Sequence, residues 1–142
     1  MASFIRKFYE ASLNSFPSVT CWGTGSPHRE FMHVDDLGDA AVFVLENWDP
    51  NSINAPLDEN NNKLTILNVG TGKDITIKEL AHKISNFFQY KGKIIWDHSK
   101  PDGTPKKLLN IQKIKSLGWE PKISLEQGIK SAIESFKIKD NI

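Results

Sequence analysis

The stretch Val19-Thr-Cys-Trp-Gly-Thr-Gly-Ser-Pro-His-Arg-Glu-Phe-Met-His-Val-Asp-Asp36 decides how this chain is read. Its first four residues are β-branched, small or aromatic and end at a run of glycine, serine and proline, which predicts a short strand and a turn. Glu30-Phe-Met-His-Val34 predicts a second strand, and Asp35 or Asp36 can cap a helix beginning there. Because strand side chains alternate, Trp22 falls on the face opposite Cys21. If the two strands pair, Trp22 and Arg29 approach each other at the mouth of the hairpin.

Strand followed by helix recurs outward from this stretch. Upstream, Phe4, Phe8 and Ala11, with Ile5 beside them, predict an amphipathic helix ending between Ser12 and Asn14. Downstream, Leu37, Ala41, Val44, Leu45 and Trp48 form one apolar stripe, with Val42 and Phe43 well outside it. The Asn-, Asp- and Pro-rich residues 47–63 predict a surface loop, with 49–63 of low order. Thr65-Ile-Leu-Asn-Val69 predicts a buried strand and Gly70–Asp74 its turn. Thr76-x-x-Glu79 is a capping box for a helix with Ile77, Leu80, Ala81, Ile84 and Phe88 on one face. A strand at Lys93–Asp97, a short helix from Asn110 to Leu117 and a last helix from Ser124 complete the chain. That last helix buries Leu125, Ile129, Ala132, Ile133 and Phe136. Alternating strands and helices give an α/β class, a small mixed sheet with flanking helices.

The chain has 142 residues, 39% of them hydrophobic, enough for one domain spanning 1–142. A net charge of +1 with both signs interspersed carries no footprint for nucleic acid or a membrane surface. Cys21 is the single cysteine, so an internal disulfide is excluded. No apolar run approaches the roughly 18 residues of a membrane span, and the N-terminus lacks a signal-peptide core. A soluble, cytoplasmic protein is the expectation.

Two glycine pairs, Gly23-Thr-Gly25 and Gly70-Thr-Gly72, resemble the opening of a dinucleotide fingerprint. His28 and Ile75 stand where its third glycine belongs, so both are read as plain turns. His28, His33, Asp35 and Asp36 lack a second cluster to complete a metal site, and none is expected. A more informative set is Lys7, Trp22, Arg29, Asp102, Lys106 and Lys107. An indole can stack a base, arginine chelates phosphate, lysine neutralises it and a carboxylate accepts sugar hydroxyls. The plain alternative is a packed indole among solvated cations. Ser99-Lys-Pro-Asp-Gly-Thr-Pro-Lys-Lys-Leu-Leu109 is correspondingly either a simple Pro-Asp-Gly turn or a stiff loop that holds charged groups for a phosphate-bearing ligand.

Taken together, Trp22–Asp36, Leu67-Asn-Val-Gly-Thr-Gly72 and the Pro101-Asp-Gly-Thr-Pro105 loop resemble the C-terminal part of the GDP-L-fucose synthases, which belong to the extended short-chain dehydrogenase/reductases. Arg-Glu-Phe-x-His-Val-Asp-Asp is shared more widely among nucleotide-sugar epimerases and dehydratases. The resemblance implies a substrate domain without the N-terminal Rossmann core, in a family that epimerises GDP-4-keto-6-deoxy-D-mannose and reduces it with NADPH to GDP-L-fucose. It also implies substrate contacts at Lys7, Trp22, Arg29 and Asp102, with Lys107 near the diphosphate. The family's glycine-rich cofactor loop and Tyr-x-x-x-Lys pair have no counterpart here: Leu13 stands four residues after Tyr9 and Ile94 four after Tyr90. No catalytic residue and no bound cofactor are therefore expected of this chain alone. It reads as a GDP-sugar-binding portion inactive by itself, alternatively a subunit of a split enzyme, or a non-catalytic remnant or interaction module. The partners expected are a GDP-sugar and either the missing Rossmann domain or a second copy. Docking would run through an exposed apolar patch where Val42 or Phe43 loses its cover.

Overall fold

The structure is a computed structural model that describes residues 1–139. They fall into two compact units: one holds Met1–Arg29, Asp74–Lys107 and the chain from Glu126, the other Glu30–Lys73 and Leu108–Leu125.

In the first unit, α1 (Ala2–Leu13) buries Ile5, Phe8 and Ala11, the face its periodicity predicts. The capping box of α3 (Ile77–Phe87) forms as read: Thr76 accepts from the Glu79 amide, and the Glu79 side chain accepts from Thr76 N. This helix buries Leu80, Ala81 and Ile84. Helix α5 (Leu125–Lys139) contributes Ile129 and Ile133 to the core. Tyr9 stands edge-on to both Phe88 and Phe136, centroids 5.9 and 5.5 Å away. Fully buried Phe8, Leu80, Ile84 and Ile129 each contribute about 1.5–3 kcal/mol of burial free energy.

Two small sheets complete this unit. Strand β1 (Ser18–Trp22) pairs in parallel with β4 (Lys93–Asp97), setting Thr20 opposite Ile95 and Trp22 opposite Asp97. Val19 and Cys21 point inward and Thr20 and Trp22 outward, as strand alternation requires. In the second sheet β2 (His28–Glu30) lies between β3 (Asp74–Thr76) and β5 (Lys106–Lys107). Strands β2 and β5 are parallel, with His28 beside Lys106 and Arg29 beside Lys107.

The second unit packs α2 (Val34–Asn47) and α4 (Gln112–Ser116) around Ala40, Ile111, Ile114 and Trp119, with Met32, Phe43, Val44 and Val69 against them. In the surface loop, Leu57 bridges Lys63, and Asp58 Oδ1 accepts the amides of Asn60 and Asn62.

Five local expectations are corrected. The strands flanking Gly23–Pro27 do not form a hairpin; Gly23 and Gly25 adopt φ of +77° and +75° and turn the chain out of one sheet into the other. The second strand is His28–Glu30, not Glu30–Val34. Helix α2 is capped by His33, whose Nδ1 accepts from Asp35 N at 3.2 Å, while Asp36 is buried instead of capping. Asp74 belongs to β3 and not to a turn. Thr65–Val69 forms no ladder among the described residues and leaves Ile66 76% exposed, because extended backbone becomes a strand only beside a neighbour.

The stripe expected to bury α2 is split: Val44 packs on the core and Trp48 is half-buried, but Leu37, Ala41 and Leu45 face outward. Leu37 and Leu45 are 51% and 86% exposed, whereas Asp36 and Ala40 are buried. Of the two residues expected to lose their cover, Val42 is exposed, while Phe43 is half-buried against the core. Among the described residues no helix is long and apolar enough to cross a membrane.

Candidate functional site

Each residue proposed from sequence, Lys7, Trp22, Arg29, Asp102 and Lys107, lies in the first unit. Lys7 leaves α1 to donate from Nζ to the carbonyl of Thr20 at 2.8 Å, which anchors the helix to β1. Two residues on, Trp22 ends that strand with its indole 67% exposed. The β1–β4 ladder continues one step past it, as Gly23 N donates to Asp97 O at 2.9 Å.

Asp102 grips the turn that follows Trp22. Its Oδ1 accepts from Thr24 N and its Oδ2 from Thr24 Oγ1, both at 2.7 Å. Those two bonds, hydroxyl first and amide second, hold the Asp102 carboxyl below its ordinary range. A side chain at Gly23 would place Cβ 2.2 Å from Asp102 Oδ1, so the close approach requires glycine there. Gly25 is similarly crowded, with the Trp96 ring 2.7–2.8 Å from where a Cβ would lie. The stiff Pro101–Pro105 loop is thus tied to the turn after Trp22.

Arg29 reaches the same loop from the other sheet. Its Nη1 donates to His28 O at 2.6 Å, and Nη2 lies 3.6 Å from the position of a Cβ on Gly103. The parallel register sets Lys107 beside Arg29, so the two cations share one face of the sheet, on strands about 4.8 Å apart. On the opposite face, His28 Nδ1 and Lys106 Nζ lie 3.2 and 3.4 Å from the oxygens of Asp74. Burial pushes the Asp74 carboxyl up, but its hydrogen bonds with His28 and Lys106 outweigh that, and it lies below its usual range. This cross-strand cluster occupies Lys106 and fixes the sheet that carries Arg29 and Lys107.

The structure therefore brings Trp22, Arg29, Asp102 and Lys107 together around one loop, with Lys7 further along β1. Asp102 is a tether as much as a free acceptor, since each oxygen already takes one hydrogen bond. Sequence reasoning missed two participants. In the sequence Thr24 reads only as part of a turn. Lys100 places Nζ 5.7 Å from the centroid of the Trp22 ring; its nearness to Asp102 in the chain was the available signal.

The glycine turns give a test of fit to a dinucleotide. Glu30 Oε1 accepts from Thr71 N and Gly72 N, each at 2.6 Å, and its Oε2 accepts from Leu109 N. A Cβ on Gly70 would lie 2.6 Å from Glu30 Oε1. Both glycine turns thus donate amides to an internal carboxylate, Glu30 or Asp102, and their residues do not fit a pyrophosphate cradle.

The profile of the NAD dependent epimerase/dehydratase family matches residues 1–55. Over 94% of its length the chain is 43% identical to a GDP-L-fucose synthase of Escherichia coli strain K12, and over 91% it is 43% identical to GDP-L-fucose synthase 1 of Arabidopsis thaliana. It spans only 40% and 36% of those proteins. Among solved structures, a GDP-6-OMe-4-keto-L-xylo-heptose reductase from Campylobacter jejuni superimposes over 96% of the chain and 47% of its own, at TM-score 0.80 and 33% identity. A GDP-mannoheptose C4 reductase from the same organism, with NADP bound, covers 96% of this chain and 44% of its own at TM-score 0.78 and 34% identity.

The chain belongs to the extended short-chain dehydrogenase/reductases, the NAD-dependent epimerase/dehydratase class. Within that class it is similar, over more than nine-tenths of its length, to part of the GDP-L-fucose synthases.

Proposed function

We propose that this chain is the GDP-sugar-binding portion of an NADPH-dependent GDP-L-fucose synthase, handling GDP-4-keto-6-deoxy-D-mannose or GDP-L-fucose and inactive alone. The observation that carries the reading is the gathering of an open indole and two adjacent cations around one loop pinned by Asp102. Trp22 would stack the base, Arg29 would chelate the diphosphate and Lys107 would add a point charge. Lys7 and Asp102 would fix β1 and the loop around the ligand. NADPH would be held by polypeptide outside this sequence and supply the hydride there; neither glycine turn in this chain is available to it.

A second reading, a complementing subunit, accounts equally for the outer face of α2. Val34, Leu37, Ala41 and Leu45 follow at helical spacing and all are exposed. A surface of that kind fits an apolar face of the Rossmann portion, whether on the same polypeptide or on a separate one.

Calorimetry of the chain with GDP and GDP-mannose tests the first reading. Arg29→Ala and Lys107→Ala should each weaken GDP by about 1–3 kcal/mol, the worth of a charged hydrogen bond. Absence of heat at high micromolar protein, or equal affinity in both variants, would refute it.

A further inference from the structure

We propose that Lys100 reads the edge of the base stacked on Trp22 and selects purines carrying a 6-keto group over 6-amino purines; this rests on the nucleotide reading above. The sequence points to Lys7, Arg29, Lys106 and Lys107 as cations of interest and passes over Lys100. The structure sets it apart. Trp22 stands opposite Asp97 in the β1–β4 register. Asp97 Oδ1 accepts from both Ser99 N, at 3.0 Å, and Ser99 Oγ, at 2.6 Å, while Lys100 N donates to Asp97 O at 3.2 Å. The chain therefore turns tightly at the end of the ladder, directly beside the indole. That turn sets where the Lys100 side chain starts, and its ammonium lies over the ring at 5.7 Å.

A base laid on the indole occupies the side where the ammonium now rests, so Lys100 must swing to the rim of the base. An ammonium has three donors and no acceptor. It is satisfied by an edge that offers two acceptors, the O6 and N7 of guanine. The corresponding edge of adenine replaces one of them with an amino donor. Facing that amino group, the exposed ammonium of Lys100 stays in water and gains nothing, so the advantage falls to guanine. Removing the ammonium removes the distinction without touching the indole or the phosphate cations.

Lys100→Met keeps the apolar stem and deletes the charge, and an exposed residue can change in this way without disturbing the core. Calorimetry would compare GDP, IDP and ADP on the wild-type chain, Lys100→Met, Lys100→Arg and Arg29→Ala, with melting curves to verify folding. The expected result is that Lys100→Met weakens GDP and IDP about tenfold and leaves ADP unchanged, while Lys100→Arg retains the preference. Equal weakening of GDP and ADP would assign Lys100 to the diphosphate and overturn the proposal. So would unchanged GDP affinity in Lys100→Met when Arg29→Ala weakens GDP; the nucleotide reading would then survive by itself. No binding by any nucleoside diphosphate would overturn both.

Discussion

Asp36, the last residue of the stretch that opens the sequence reading, should be a structural pin, and the consequence can be worked out. Its side chain is 2% exposed, with Oδ1 accepting Lys122 N at 3.0 Å and Oδ2 accepting Ile123 N at 3.1 Å. Asp36→Ala leaves two amides without an acceptor, at about 1–3 kcal/mol each. The amide of Lys122 belongs to an exposed residue and takes the low end of that range. Loss of a carboxylate from the first turn of α2 adds about 0.3–1 kcal/mol. The total is about 2–5 kcal/mol. Asp36→Asn should cost nearly as much, because an amide offers one oxygen and turns a donor toward the second N–H. Denaturant unfolding followed by circular dichroism gives the free energy, and hydrogen exchange read at Lys122 and Ile123 gives the site. Protection there should fall about 30- to 4,000-fold, each 1.4 kcal/mol being a factor of ten. An Asn variant as stable as the parent, or losses below about 0.5 kcal/mol with both amides still protected, would show that these amides find other acceptors.

Trp22→Ala should weaken GDP about 5- to 150-fold, the worth of one stacked base, with little change in melting temperature because the ring is 67% exposed; unchanged affinity by calorimetry would remove the indole from the site. Gly23→Ala should lower the melting temperature and free the Asp102–Thr24 clamp, since φ is +77° and the new Cβ would meet Asp102 Oδ1; a fully retained melting curve would contradict the close approach. Asp74 and Asp102 both titrate below their ordinary range. Their stabilisation is therefore complete above the unfolded carboxylate range and is lost as pH falls through the folded values. Melting temperature should drop below about pH 4, and by less in Asp74→Asn. Leu45→Glu, at a position 86% exposed, should leave folding intact and abolish any self-association seen by sedimentation; a dimer that persists would clear α2 of that role.

Much of the fold was legible because local signals and tertiary demands agree in α1, α3 and β4. Ile5, Phe8 and Ala11 recur at helical spacing, and the face they define is the one buried. Thr76 and Glu79 close their box within four residues, so no distant partner is needed to recognise it. The strands were harder, because pairing is a non-local choice. Nothing in Val19–Glu30 says that β1 takes β4 and β2 takes β5; Gly23 and Gly25 permit either a hairpin or a divergence. In the site, residue types pointed to Trp22, Arg29, Asp102 and Lys107 one by one. Thr24 and Lys100 emerge only once the 99–107 loop is folded back on the turn after Trp22.

Helix α2 shows most clearly where periodicity stops being informative. Apolar residues at 34, 37, 40–45 and 48 surround it, and such a helix has more than one candidate core face. The choice falls on Asp36, Ala40, Phe43 and Val44, and the reason is polar and steric. Asp36 must reach the amides of Lys122 and Ile123, and Asp39, one turn on, accepts from Trp119 Nε1 at 2.9 Å. Those anchors rotate the helix so that small Ala40 meets Ile111, Ile114 and Trp119. Leu37, Ala41 and Leu45 are left facing outward. One exposed leucine would carry no meaning, but a continuous apolar row at helical spacing is a surface shaped for a neighbour. The polar pins that chose the inner face thereby also determined the outer one, the face proposed here to meet the Rossmann portion.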